Sequence, residues 1–437
     1  MPRADLMIQL NNHNEQLKSQ FESTYGILDS NIPKKELVSL DSIDLVLRQC
    51  LNIEEMREAG SFFTGQELST FLINKFEDTL TFSSVVYDPT CGAGNLLIEC
   101  SRKLNTVDNS LKKTLNKWGE VLRGFDIHST FIEAAKLRLI LEALSRGVTK
   151  DCDLHEALEC FKHIKLLDVT TVQADDLKEA THIVMNPPFT LWNSPKVRFW
   201  KNGKVNAAGV VFEQVIRNIP QNCYVSAILP DVLRSGSRYE NWRKFASNNI
   251  SGSCQLFGKF NNKTDVDVFI LSGLNIISDD NYIQWFTDSE SKPKICVSNL
   301  FDVCVGSLVA YRDPPIGNNY PYIHPKNAPA WECMREFHEY RRYSGKVYTS
   351  PLVVVRRTSS PSDKFRAVGT LIESKEPVAI ENHLIVLVPK DGLLETCKML
   401  LHSLKCQETN DYFNNRIRLR HLTVGIVKDL PLNKAAS

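Results

Sequence analysis

Val85-Val86-Tyr87-Asp88-Pro89-Thr90-Cys91-Gly92-Ala93-Gly94-Asn95-Leu96-Leu97 takes the chain from a β-branched run through a Gly-rich turn into a helical pattern. Gly92 and Gly94 let the backbone turn sharply and let a ligand approach it closely. The turn is not a phosphate cradle: no Gly-Lys-Ser/Thr follows, and Leu97 stands where a dinucleotide site would place its third glycine. Asp88, at the strand end, would repel a pyrophosphate and suits a cationic ligand. Outward from this turn, Val121–Phe125, Ile183–Met185, Tyr224–Leu229 and Val266–Leu271 read as further strands. Between them Leu68, Phe71, Leu72 and Phe76 recur at helical spacing, as do Leu96, Leu97 and Cys100, and Phe131, Ala134, Ala135 and Arg138. This alternation predicts an α/β, doubly wound, mostly parallel sheet with helices on both faces.

The 437 residues suffice for two or three domains with cores that need no staples. No apolar run approaches the ~18 residues of a membrane span, and Met1–Gln20 lacks an apolar signal core. Twelve cysteines are scattered without a CxxC pair, which argues against a zinc site or disulfide framework and for a reducing cytoplasm. The net charge of +1 hides an asymmetry, since Cys304–Ser437 holds 19 Lys+Arg against 13 Asp+Glu. A basic C-terminal part on an acidic body fits a module that meets a polyanion, or simply a solvated face. Asp313–Pro329 carries five prolines and reads as a linker or long loop between domains. The expected division is a helical, polar segment 1–58, a catalytic domain 59–303 and a C-terminal domain 304–437.

A second acidic strand end follows at Arg123-Gly124-Phe125-Asp126-Ile127. In doubly wound folds a carboxylate there holds ribose hydroxyls; it could equally cap the helix that begins near Phe131. A third, Leu166-Leu167-Asp168, could meet a ligand's adenine, with Asp175 and Asp176 as competitors. Then comes Thr181-His182-Ile183-Val184-Met185-Asn186-Pro187-Pro188-Phe189. Two prolines after a buried-type strand make a rigid exit that presents the Asn186 amide and the Phe189 ring. Alone, it could be a strand-terminating turn. Downstream of Asp-Pro-Thr-Cys-Gly-Ala-Gly and Gly-Phe-Asp, it reads as a catalytic motif.

These residues together resemble the S-adenosylmethionine-dependent DNA adenine-N6 methyltransferases of restriction–modification systems, in the motif order of the gamma class. The resemblance covers roughly residues 55–275, and the C-terminal part only by position. It implies a seven-stranded-type methyltransferase sheet followed by an α+β target-recognition domain that binds duplex DNA. It places Asp88, Pro89, Gly92 and Gly94 in the cofactor turn and Asp126 with Ile127 at the ribose and base. Asn186, Pro187, Pro188 and Phe189 carry the catalytic motif. Gly60-Ser61-Phe62-Phe63-Thr64-Gly65 is similar to the segment that closes over the cofactor's methionine end, giving contacts to Phe63 and Thr64. There the usual Thr-Pro is Thr64-Gly65, which loosens the turn. Phe260 is similar to the family's second base-contacting aromatic, or is a loop aromatic packed on its own domain. The resemblance also implies a cognate restriction endonuclease that acts on the same site without necessarily binding this chain.

The chemistry explains the residue types. Adenine N6 is a poor nucleophile because its lone pair is delocalised into the ring. The Asn186 side-chain oxygen and the Pro187 carbonyl can accept its two N–H groups and stabilise the charge developing on nitrogen. No metal or covalent enzyme intermediate is required. The target base must leave the duplex, at a cost of a few kcal/mol, and Phe189 would stack on it. Thr190–Phe212 holds Lys196, Arg198, Lys201 and Lys204 without any Asp or Glu, interleaved with Trp192, Phe199 and Trp200. It is expected to be a mobile loop on the phosphates, or a solvated loop with its aromatics folded inward. In the C-terminal domain Arg356, Arg357 and the alternating Arg416, Arg418 and Arg420 are candidates for phosphate or groove contacts, the last three on one face of an extended segment. His421–Pro431 reads as a closing apolar strand. Two alternatives stay open: a modification subunit that needs a separate specificity protein, and a protein-glutamine or ribosomal-RNA amino methyltransferase.

Overall fold

The computed structural model describes residues 4–24, 38–41, 64–76, 80–196, 199–200, 202–261, 264–278, 280, 282–286 and 295–432. It forms two compact units, Met1–Trp285 and Phe286–Ser437. In the first, β1 (Val86–Asp88), β2 (Leu122–Asp126), β3 (Ile164–Leu166) and β4 (His182–Met185) precede a small hairpin, β5 (Leu191–Asn193) and β6 (Lys204–Asn206). Three longer strands follow: β7 (Tyr224–Pro230), β8 (Ile250–Asn261) and β9 (Thr264–Asn275). The seven-stranded sheet has the order β3-β2-β1-β4-β7-β9-β8. Pairing is parallel from β3 through β7 and antiparallel for β7 with β9 and β8 with β9.

Period-two alternation splits the sheet's side chains between two cores. Val86, Val184, Ile228 and Ile270 pack on one face with the helices Asn95–Ser101, Leu111–Val121 and Ser129–Ser145. Tyr87, Ile183, Met185, Ala227 and Phe269 pack on the other with the helices Ala207–Ile216 and Glu240–Asn249. Sequence order reverses at β1, with β2 on one side and β4 on the other, so the carboxyl ends of these strands flank a crevice. The N-terminal segment is less detached than its polar composition suggests. Its helix Ala4–Ser23 buries Leu10, Leu17 and Phe21 in the same core as Ser129–Ser145.

The second unit is built from β10 (Phe301–Val305), β11 (Asn318–Ile323), β12 (Cys333–Met334), β13 (Tyr340–Tyr343), β14 (Leu352–Arg356), β15 (Gly369–Ile372), β16 (Ala379–Ile380) and β17 (Leu384–Pro389). Its five-stranded sheet runs β10-β17-β14-β15-β12 and its three-stranded sheet β13-β11-β16. Helices Leu394–Leu404, Gln407–Arg416 and Val424–Lys428 follow. Three sequence expectations change here. Asp313–Pro329 is not a linker but supplies β11, inside the unit; Pro321, lacking an N–H, is held in a strand whose neighbours pair antiparallel to β13 and parallel to β16. Val303 and its neighbours pair with β17 and so belong to this second unit. His421–Pro431 is a turn and short helix capped by the Thr423 hydroxyl, not a strand.

Candidate active site

The carboxyl ends of β1, β2, β3 and β4 open onto one cavity of about 300 Å³. It is lined by Asp88, Pro89 and Gly92 after β1, Asp126 and Ile127 after β2, Asp168 after β3, and Asn186 and Pro188 after β4. Thr64 lines it too. Motif residues separated by about a hundred positions thus share one wall because their strands are adjacent and parallel.

The turn after β1 requires its glycines. Gly94 has φ +82 and a Cβ there would lie 2.9 Å from the Ala135 Cβ; Gly92 has φ +50. Asp88 is almost fully buried, and its carboxylate accepts the Thr90 N–H at 3.1 Å. Burial pushes its pKa up to about 8, against the Thr90 hydrogen bond, and the nearby Asp126 charge adds to the rise. Asp126 accepts the His128 N–H at 2.8 Å and the Gly92 N–H at 3.1 Å. Burial raises its pKa too, opposed by those hydrogen bonds. The cap of the following helix is His128, so the Asp126 side chain ties the β1 turn to the β2 end rather than capping that helix. Ile127 is 58% exposed, an apolar side chain left open at the cavity edge. Asp168 caps its own turn, accepting the Thr170 N–H and hydroxyl at 2.8 Å each.

Asn186 is held by its amide: Nδ2 donates to the Thr64 hydroxyl at 3.0 Å, which turns the side-chain oxygen away from Thr64. Pro187 is buried, and Pro188 and Phe189 are half-buried. Gly65 has φ −70, a value any residue adopts, so the Thr-Gly turn is not loosened into a glycine-only shape. What Gly65 provides is closeness, since a Cβ there would lie 2.8 Å from Asp41 Oδ1. Phe260 lies in β8, not in a loop, buried and edge-on to Phe189 with centroids 5.7 Å apart. Phe63, Arg198 and Lys201 lie outside the described residues.

The segment after the catalytic motif is not an irregular loop. Leu191–Asn193 pairs with Lys204–Asn206 in a hairpin, and the helix from Ala207 follows, capped by Asn206. Lys196 and Lys204 are exposed on it, while Trp200 is buried with its indole N–H on Glu213. Trp192 lines the cavity beside Pro188, a role the sequence reading missed. Asn95, Cys91, His128, Phe131 and Thr170 were also missed as lining residues; they are neighbours of the motifs.

The C-terminal arginines do not share one face. Arg416 ends the helix Gln407–Arg416, with its guanidinium 5.0 Å from the Tyr412 ring centroid and 5.3 Å from that of Phe286. Arg418 is half-buried and Arg420 exposed in the irregular segment beyond. The helix Gln407–Arg416, packed through its buried Thr409, Asn410 and Phe413, runs through Arg416 and breaks the expected alternation. Arg356 donates to the Ala328 carbonyl at 3.1 Å, and Arg357 is half-buried at the same strand end.

The seven-stranded mixed sheet thus gathers a Gly-turn, strand-end carboxyls and an Asn-Pro-Pro-Phe exit into one cavity of an α/β fold. The comparisons narrow this. Residues 45–223 match the family model of N-6 DNA Methylase. The type IIL restriction–modification enzyme MmeI in complex with DNA matches with 12% identity and TM-score 0.55, over 97% of this chain and 79% of that one. The type IIG restriction endonuclease BpuSI matches at 13% identity and TM-score 0.45, over 98% of this chain and 67% of that one. The type I methyltransferase subunit from Streptococcus thermophilus matches at 14% and 0.34, over 64% of this chain and 65% of that one. At such identities the likeness is one of fold, and it rests on the first. No curated protein matches. No helix among the described residues is long and apolar enough to cross a membrane.

Proposed function

We propose that the chain transfers a methyl group from S-adenosylmethionine to N6 of an adenine extruded from duplex DNA, and so protects a specific site from a cognate restriction endonuclease. The observation that carries this reading is the Asn186 amide, anchored through nitrogen to Thr64, in the same cavity as Asp88 and Asp126. The residues fit the cofactor. A buried, uncompensated Asp88 favours a cationic ligand group, Asp126 offers a carboxylate at the ribose position, and Ile127 and Asp168 border the base. Bound there, S-adenosylmethionine supplies an electrophilic methyl on its sulfonium.

The chain's own residues do the rest. Asn186 Oδ1 and the Pro187 carbonyl accept the two N6 hydrogens and orient the lone pair for in-line attack. Rigid prolines fix both acceptors. Phe189 stacks on the extruded base, and Phe260 supports that ring from β8. Lys196 and Lys204 on the hairpin, with Arg198 and Lys201 between them, contact phosphates. We assign the first unit to catalysis and the second to target recognition through Arg356, Arg357, Arg416, Arg418 and Arg420. The order of cofactor turn, catalytic tetrapeptide and C-terminal module supports the gamma class.

The test is transfer of labelled methyl by the purified chain to duplex DNA, RNA and protein, followed by nucleoside analysis. N6-methyladenine in DNA is expected. Label in protein or RNA overturns the substrate assignment, and no label anywhere makes the chain a modification subunit that needs a separate specificity protein.

A further inference from the structure

Arg138 lies in the apolar stripe of the helix Ser129–Ser145 and is completely buried. Its three hydrogen-bond acceptors among the described residues are all neutral. NH1 donates to the Ala93 carbonyl and to Asn95 Oδ1, at 2.6 Å each, and NH2 to the Ser39 carbonyl at 3.0 Å. Burial, with the Arg102 charge, pushes its pKa down to about 9. A cation held this deep without a hydrogen-bonded carboxylate costs several kcal/mol, offset only in part by the nearby Glu142 charge.

The hydrogen bonds show where the constraint goes. Asn95, fixed by Arg138 through its oxygen, uses its amide nitrogen on two carbonyls, Leu40 and Thr64, both at 2.7 Å. Thr64 is 2% exposed, and its hydroxyl holds the Asn186 amide. The chain of contacts therefore runs Arg138–Asn95–Thr64–Asn186, through buried groups at every step before the last. An asparagine amide sits on a broad, roughly two-fold torsion, so packing alone does not fix its plane. A reacting geometry must be held within about 0.5 Å, and a 1 Å error costs on the order of a hundredfold in rate.

We infer that Asn95 and Arg138 are positioning residues for methyl transfer: Arg138 fixes Asn95, Asn95 fixes the Thr64 main chain, and the Thr64 hydroxyl sets the Asn186 amide against the target amine. This rests on the reading of Asn186 as the acceptor of the N6 hydrogens. The Ala93 branch of Arg138 runs to the cofactor turn instead, so the two branches predict different kinetics. A relay to Asn186 acts on kcat, and an anchor for the turn acts on cofactor affinity.

Asn95→Asp separates them. The aspartate still accepts from Arg138, keeping the buried cation paired and the fold intact, but turns an acceptor toward the Thr64 and Leu40 carbonyls. Under conditions in which the wild type methylates DNA, kcat is expected to fall 10- to 100-fold, by far more than cofactor affinity by calorimetry, which falls only as far as the new charge at this cavity-lining position dictates. Thr64→Val is expected to lower kcat about tenfold, and Thr64→Ser to restore it to within twofold. In the double variant Asn95→Asp/Asn186→Ala, kcat should equal that of Asn186→Ala alone. Wild-type kcat in Asn95→Asp overturns the relay, as do parallel losses of kcat and cofactor affinity, or additive losses in the double variant. Full turnover by Asn186→Ala is distinguishable from all of these: it removes the site reading itself, and the relay with it.

Discussion

Arg138 in the first unit and Arg366 in the second are both completely buried, and the two are used differently. Arg138 joins the β1 turn to the strand-end side chain of β4 through Asn95 and Thr64. Arg366 joins surface segments of the second unit: it donates to Ser359 Oγ at 3.1 Å, Asn414 Oδ1 at 3.0 Å and the Leu419 carbonyl at 2.9 Å. Among the described residues Arg138 donates to amide and carbonyl oxygens, and Arg366 to a hydroxyl, an amide and a carbonyl oxygen. One stands behind a cavity, whereas the other holds the helix Gln407–Arg416 and the segment bearing Arg418 and Arg420 to the turn that follows β14. In the first unit the buried charge stands behind the Asn186 side chain through Asn95 and Thr64, and in the second it holds the segment that carries Arg418 and Arg420.

The largest effect expected in the first unit is at the end of the relay. Asn186→Ala should lower kcat by about a thousandfold, the scale of removing one group that stabilises developing charge, with cofactor Kd within a few-fold. Methyl transfer and calorimetry read the two separately, and lost cofactor binding would misplace the site. Asp88 comes next. Between the ordinary carboxylate value near 4 and about 8, the folded chain keeps a proton that the unfolded chain has lost, so this group withdraws stability as pH rises through that window. A cation bound beside it favours the carboxylate. Cofactor affinity should therefore climb between pH 6 and 8, approaching tenfold per unit, and level off above. Asp88→Asn should flatten that profile and weaken binding about tenfold at pH 8. A slope unchanged by the substitution would shift the titration to Asp126.

The sequence disclosed the first unit more fully than the second, for a physical reason. Asp88, Asp126 and Asn186 stand at strand ends, where parallel pairing brings consecutive carboxyl termini together whatever the loops do. Their identity and order were enough to predict a shared cavity. Arg138 left a trace as an arginine in an apolar helical stripe, but its partners Ser39 and Ala93 are distant in sequence and carry no pattern. In the second unit Arg416, Arg418 and Arg420 alternate, and alternation implies one face only if the segment is extended. The helix from Gln407 runs through Arg416 and cancels the inference. Pro321 misled in the same way: prolines suggested a linker where tertiary pairing holds a strand.

Arg366→Leu sharpens the comparison from the other side. It leaves three oxygens without their buried donor, a loss of about 3 kcal/mol. The second unit should melt at lower temperature and DNA affinity should fall. Cofactor Kd should stay at its wild-type value, because none of the Arg366 acceptors lines the cavity. Cofactor binding that falls with the melting temperature would show that the two units unfold together, and would remove the distinction between the two arginines.

The smallest effects separate Arg416 from Arg420. Arg416 lies over two aromatic rings, so Arg416→Ala should cost about 0.5–1 kcal/mol of stability and reduce the salt dependence of DNA binding by less than Arg420→Ala does. Arg420 is exposed, and its main-chain carbonyl accepts the Ser359 N–H at 2.8 Å. If its guanidinium meets a phosphate, Arg420→Ala should reduce the slope of log K against log salt by about 0.9. DNA titrations at four salt concentrations resolve this. An unchanged slope for Arg420→Ala, with a reduced one for Arg416→Ala, would mean that the helix end is the phosphate contact and that the segment held by Arg366 presents nothing to DNA.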